Sequence, residues 1–339
     1  YAEQVLVGEE MLQEFNITNE HTDSSCVDFN NSDFQSASMS LTNQLQRAGT
    51  LDRRSYHWAP GGHGHNSRFA QEWGRTCRTD SYRQIVPFSN SYSSLQTQIG
   101  NMQAGGYTSI HLGMKWATTL LDPSFQPALS NLTLGSTPLV NAAFDGRPFN
   151  YTRPRTQKVV VLMTDGKNTS LYSLKPGFRS GLSPFFLEDK DYADDNALSV
   201  YRESTGKYYH VHNNSNHWRN YPHGGSDAVQ LTYQEVWENY AVDYWDDEFH
   251  WLPNSWDYTG SSTMDNQLIG SDGDGGICQA AKEEGIEVFT LGFETSSYSS
   301  GVLTHCASSS SHHFDVDGTD ISEAFNSIAR EIHDLRLTN

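Results

Sequence analysis

The sequence predicts an α/β fold built on a doubly wound, mainly parallel sheet, interrupted by a long, irregular, aromatic-rich insertion. Three observations predict it. Val159, Val160, Val161, Leu162 and Met163 form an apolar run without alternation, which suits a strand covered on both faces. The run stops at Thr164-Asp165-Gly166, placing a carboxylate and a permissive glycine at the strand's carboxyl end, the edge where open α/β sheets bind ligands. From Gly276 onward, helical and strand-like units alternate.

The elements follow in order. Residues 1–80 read as an irregular N-terminal segment or insertion. "YAEQVLVGEEMLQEF" gives one strand or helix, and "FNNSDFQSASMS" and "HWAPGGHGHNS" read as loop. "YRQIVPFSNS" predicts a strand from Tyr82, ended by Pro87. In "SSLQTQIGNM" the residues Leu95, Ile99 and Met102 share one helical face, with Ser93 or Ser94 as N-cap. Gly105-Gly106 is a turn, and Ile110, Met114, Ala117, Leu120 and Leu121 trace a helix that stops before Pro123. Thr108 lies at the entrance to that helix. The insertion, 168–270, shows little periodicity. After it, "ICQAAKEEG" is a helix closed by Gly285, and "IEVFTLGF" is a buried strand. The final helix opens at Asp320 and carries Ile321, Ala324, Phe325, Ile328 and Ile332. Residues 81–339 are therefore expected to form one domain around the insertion.

Composition narrows the function. Of 339 residues, 36% are hydrophobic and 19% charged, a polar balance that fits a long-looped extracytoplasmic protein. A net charge of −19 with 22 Lys and Arg argues against a nucleic-acid partner and favours cations or basic partners. No apolar run is long enough to span a membrane and no signal-peptide pattern opens the chain, although Tyr1 in place of Met implies a removed leader or a start inside a longer polypeptide. The four cysteines lack C-x-x-C spacing, so two disulfides are expected, with Cys26–Cys77 and Cys278–Cys306 preferred because each pair lies within one region. Free cysteines in a reducing cytosol are the alternative.

The order of "AGGYTSIHLGMKWATTLLDP", "VLMTDG", "AAKEEGIEVFTLGF" and the tail "AFNSIAREIHDLRLTN" resembles a von Willebrand factor A domain, and more narrowly the TadG-like proteins of tight-adherence (Flp) pilus systems. The resemblance covers Tyr82 to Ser170 and Gly276 to Asn339. It implies a metal-ion-dependent adhesion site of three loops: an Asp-x-Ser-x-Ser, a Thr matched by Thr108, and an Asp matched by Asp165. The first motif is not found. "SASMS", Ser36 to Ser40, has the serine spacing but lacks the Asp and a preceding apolar strand, so it reads as loop. A magnesium or calcium ion needs about six oxygens, more than Thr108 and Asp165 supply. The resemblance thus implies that an upstream segment or a second chain completes both sheet and site, and that the partners are pilin-like or other surface proteins.

Other patterns compete. His63, His65, His210, His212, His217 and the pair His312-His313 raise zinc, without an H-E-x-x-H. Asp272 and Asp274 in "SDGDGG" have calcium-loop spacing without the later carboxylate, and a helix-entry turn is the competing role. No G-x-S-x-G elbow supports nucleophilic catalysis. Trp218, Trp237, Trp245, Trp251 and Trp256 offer either a binding face, for which Trp218, Trp245 and Trp251 are the candidates, or the insertion's own core. The expectation is a non-enzymatic extracellular or cell-surface protein of pilus assembly or adhesion, with metal-assisted partner binding. A metal-free scaffold packing on pilin-like partners and a secreted zinc-dependent hydrolase are the alternatives.

Overall fold

Helix α1 (Glu9–Leu12) and two-residue strands β1 (Val27–Asp28) and β2 (Gln46–Arg47) are, apart from 3-10 turns, the regular structure of the N-terminal segment. They belong to a computed structural model that describes residues 4–18, 20–52, 69–70, 74–103, 108–190, 192, 197–211, 216–317 and 320–338. The segment is irregular, yet it is not a separate body. Met11, Leu12 and Phe15 share a core with Trp116, Phe125 and Leu129 farther along the chain. Phe15 meets the Trp116 ring edge-on at 5.9 Å and stacks on Phe125 at 5.8 Å. The disulfide Cys26–Cys77 spans its length.

The strand expected from Tyr82 is not formed. Ser81–Arg83 make a 3-10 turn, and the stretch beyond it has one isolated parallel bridge, Leu6 with Gln84. An extended run becomes a strand only when neighbours satisfy its backbone, and a single bridge does not. Helix α2 (Tyr92–Asn101) is capped by Ser91, whose side chain accepts the Ser94 N–H. Its apolar face is uncovered, for Leu95, Ile99 and Met102 are all exposed. Helix α3 (Ile110–Leu121) buries Ile110, Met114 and Trp116, and ends where the Asp122 carboxylate accepts the Ser124 N–H beside Pro123. Helix α4 (Gln126–Leu132) completes the N-terminal core.

Strand β3 (Val159–Thr164) is the apolar run read from the sequence. Beyond it the insertion is not irregular. A neck of two antiparallel strands, β4 (Leu171–Leu174) and β10 (Trp256–Thr259), closes it off. Between them β5 (Leu182–Glu188), β6 (Leu198–Arg202), β7 (Lys207–His210), β8 (Trp218–Arg219) and β9 (Ala228–Thr232) form an antiparallel sheet ordered β8-β7-β6-β5-β9. In β5, Ser183, Phe185 and Leu187 alternate inward. Pro184 is tolerated in this strand where the β5–β9 register shifts, since a bulge spares the ladder bond that proline cannot make. Helices α5 (Tyr233–Asn239), opened by a Thr232–Glu235 capping box, and α6 (Val242–Glu248) cover the buried face.

The chain then returns through α7 (Ser261–Ile269), α8 (Gly276–Glu283), β11 (Glu287–Phe293), α9 (Ser297–Cys306), β12 (His313–Val316) and α10 (Ile321–Thr338). Gly285, at φ 75°, ends α8 in the left-handed conformation that glycine reaches at least cost. The parallel sheet is ordered β12-β11-β3, in register Val160 with Val288 and Leu291 with Phe314. Among the described residues it has three strands, fewer than the doubly wound sheet predicted. Helices lie on both faces: Val160 and Val288 pack with α3, α7 and α8, whereas Val159, Phe289 and Leu291 pack with Ala324, Ile328 and Ile332 of α10. Phe325, expected on the buried stripe of α10, is exposed.

Candidate functional site at the carboxyl edge of the parallel sheet

Strand β3 delivers Thr164, Asp165 and Gly166 to the edge. The buried Thr164 hydroxyl accepts the Gly166 N–H at 3.2 Å and so turns the chain immediately after the strand. Asp165 is left exposed at the tip. Thr108 arrives from the entrance to α3. Its Oγ1 lies 3.5 Å from where a Cβ on Gly166 would stand, and its carbonyl accepts the Thr169 N–H at 3.2 Å. The structure therefore brings Thr108 and the Asp165–Gly166 turn together.

Beneath them runs a polar network. The first turn of α3 has backbone N–H groups without intrahelical acceptors, and Ser109 provides no side-chain cap. Asn168 does so from 58 residues away: its Oδ1 accepts the Ile110 N–H at 2.8 Å. The fully buried Asn168 then donates from Nδ2 to Asp265 Oδ1 at 2.9 Å, and the Tyr298 hydroxyl donates to Asp265 Oδ2 at 2.7 Å. That bond, followed by burial, raises the Tyr298 pKa. The network ties α3, α7 and α9 to the β3 turn. Asn168 and Asp265 were not among the residues that sequence reasoning selected, because an Asn in "GKNTS" reads as a turn former.

His111 sits in the same layer, against Phe34 at 5.2 Å. Burial pushes its imidazole from 6.5 down to about 4, opposed by its bond with Asn168. The unfolded chain therefore takes up the proton first. The stability contribution is whole above about 6.5 and is lost as pH falls through the window toward about 4. At about 1.4 kcal/mol per pH unit the loss approaches about 3 kcal/mol. Asp28 acts in the opposite sense: burial raises it to about 6, so the folded state gains as pH falls through that value. The difference between wild type and His111→Gln isolates the histidine. Urea unfolding at several pH values should show the wild type's relative stability falling by about 2 to 3 kcal/mol between roughly neutral pH and pH about 4. Parallel curves would refute this.

The remaining candidates are placed elsewhere. Trp245 does not belong to a surface: it is 2% exposed at the centre of the insertion core. Trp218 and Trp251 are half-buried at the rim of that core, their ring centroids 5.4 Å apart, and Tyr209 packs against both. His210 Nε2 bonds the Tyr221 carbonyl and His217 Nδ1 the His210 carbonyl. Both ring nitrogens of His313 meet hydroxyls, those of Thr290 and Ser300. His312 lies between Glu287 and Glu331. His63, His65 and His212 lie outside the described residues. Asp272 and Asp274 occupy the turn into α8, where the Asp274 N–H faces Asp272 Oδ1 at 3.4 Å. Ser36–Ser40 are a loop whose Ser36 and Ser38 carbonyls accept from Lys115 Nζ. Both disulfides, Cys26–Cys77 and Cys278–Cys306, are closed.

Two residues do not amount to a magnesium or calcium centre. Thr108 and Asp165 offer a hydroxyl and a carboxylate, and among the described residues no group of three or more His, Cys, Asp or Glu could hold a metal. A full shell of about six oxygens requires ligands beyond these.

No protein-family model matches the chain. No curated protein matches it either. Among solved structures it is similar to the crystal structure of the vWF domain of the type V pili tip protein Mfa5 from Porphyromonas gingivalis, at 16% identity and a TM-score of 0.30, over 71% of this chain and 72% of that one. At so low a TM-score the functional reading rests on this chain's own geometry.

Proposed function

We propose that the chain is a non-enzymatic partner-binding domain of an extracellular surface or pilus-type assembly, which contacts its partner through the carboxyl edge of the parallel sheet. One observation carries the reading: Asp165 is exposed beside Thr108 on a turn fixed from below by the buried Asn168–Asp265 pair, to which the exposed Tyr298 donates from the surface. An exposed carboxylate and hydroxyl on a rigid platform present fixed polar groups, and rigidity lowers the entropy lost on binding. The two disulfides fit an oxidising compartment. No helix among the described residues is long and apolar enough to cross a membrane. A divalent cation held here would need oxygens from water, from the partner or from elsewhere in the polypeptide beside those of Thr108 and Asp165.

Adherence of native host cells tests this. Asp165→Ala and Thr108→Ala should each lower adherence about tenfold, equivalent to about 1.4 kcal/mol, while the purified variants keep the wild-type Tm. Unchanged adherence in both would sink the proposal. Loss on chelation with restoration by magnesium or calcium indicates a shared cation shell; indifference to chelator indicates the metal-free scaffold.

A further inference from the structure

The N-terminal segment and the insertion together line a polar cavity of about 170 Å³ that shares no residue with the carboxyl edge. His21 lines it with a side chain that is 1% exposed, and neither of its ring nitrogens has a hydrogen-bond partner among the described residues. Asp23 Oδ2 stands 3.8 Å from Nδ1, beyond hydrogen-bond reach. Burial, opposed by Asp23, holds the imidazole below its usual pKa, so near neutral pH it presents one N–H donor and one lone pair. Gln234 of α5 adds a buried Oε1 that likewise bonds nothing described. Buried polar atoms left unpaired are costly, and three of them on one cavity call for a ligand. The rest of the lining selects its chemistry. Arg179 is already engaged, by Nε with the Leu174 carbonyl and by a terminal nitrogen with Asp28, and Arg75 donates to the Glu238 carbonyl. Arg75 and Arg179 balance Asp23 and Glu238, so a charged ligand finds no surplus of opposite charge to offset its burial. Leu174 and Trp237, both buried, add apolar wall that suits C–H groups better than water.

We propose that this cavity binds a small uncharged polyhydroxylated molecule, a polyol or a single sugar unit, through His21 and Gln234. A hydroxyl both donates and accepts, which is what the unpaired donor and acceptors of these two side chains require, and its carbon skeleton meets Leu174 and Trp237. At the liquid's share of about 30 Å³ per water, the volume holds about five or six waters, the bulk of a short polyol. A larger sugar would extend into the mouth, which the exposed Asp23 and Glu238 mark. His21 comes from the N-terminal segment and Gln234 from the insertion, so a ligand held by both stabilises their junction by mass action.

Calorimetric titration and thermal unfolding of the full chain with glycerol, erythritol, D-xylose and xylobiose test this, with glycine as the zwitterionic control. At least one of the four should bind saturably and raise the Tm in step with the logarithm of its concentration. His21→Phe removes two nitrogens that bond nothing described, so it should keep the wild-type Tm while weakening the bound probe at least tenfold. Gln234→Leu should weaken it too, and decides alone if the histidine variant fails to fold. Asp165→Ala should bind the probe as the wild type does. Xylobiose binding at least as tightly as xylose supports the end of a longer glycan as the source; binding of xylose or a polyol alone supports a free molecule. Binding of none of the four leaves water as the occupant and overturns the proposal. Tighter binding of glycine, or affinity untouched by both substitutions, overturns it as well.

Discussion

Replacing Trp245 with alanine is expected to destabilise the protein by about 3 to 5 kcal/mol, the range for deleting a large ring from a packed core. Trp245 stacks on Phe185 at 5.1 Å with the planes 8° apart, and touches Trp237 at 5.1 Å. Its Nε1 donates to the Pro253 carbonyl at 3.2 Å, so truncation also strips an acceptor of its donor. The residue joins α6 to β5, an interior strand of the antiparallel sheet, and the hole cannot close without moving one of them. Trp251→Ala, at the half-buried rim, should cost clearly less. Urea unfolding followed by far-UV circular dichroism checks both, and a loss below about 1 kcal/mol for Trp245→Ala would mean that the insertion core is not packed as described.

Opening the Cys278–Cys306 disulfide, by alanine at both positions, should cost about 3 to 4 kcal/mol. The bridge closes a separation of 28 residues, and the figure is the chain entropy that such a loop restores to the unfolded state. It also fastens α8 to the end of α9, with β11 passing between them in sequence, so the loss falls on the helical cover of the parallel sheet. Reductant should lower the wild type's Tm and leave that of a chain lacking both bridges unchanged. Thiol titration of the denatured, unreduced protein should find no free cysteine, and thiol at either position would refute the pairing.

Sequence alone reached what local pattern encodes. The run Val159–Met163 had to be a strand, although its expected cover on both faces fails at the exposed Val161 and Met163, Gly285 had to end a helix, and the positions of Thr108 and Asp165 followed from where a glycine-rich helix entrance and a strand end fall in an α/β chain. The cysteine pairing came from proximity along the chain, and both expected pairs are joined in the structure.

What tertiary structure decided is everything that depends on a distant partner. The insertion reads as irregular because its strands run from two to seven residues and its inward positions mix Ser with aromatics, so no period survives in a window; β-pairing at long range makes it a sheet. Whether Trp245 faced water or core was set by Phe185, some 60 residues earlier, and not by its own neighbours. Asn168 gained its role from the unsatisfied N-terminus of α3, 58 residues before it. Strand β3 is the sharpest case: its composition asks for cover on both faces, and only the assembled structure reveals that Val161 and Met163 stay exposed while Val160 is buried.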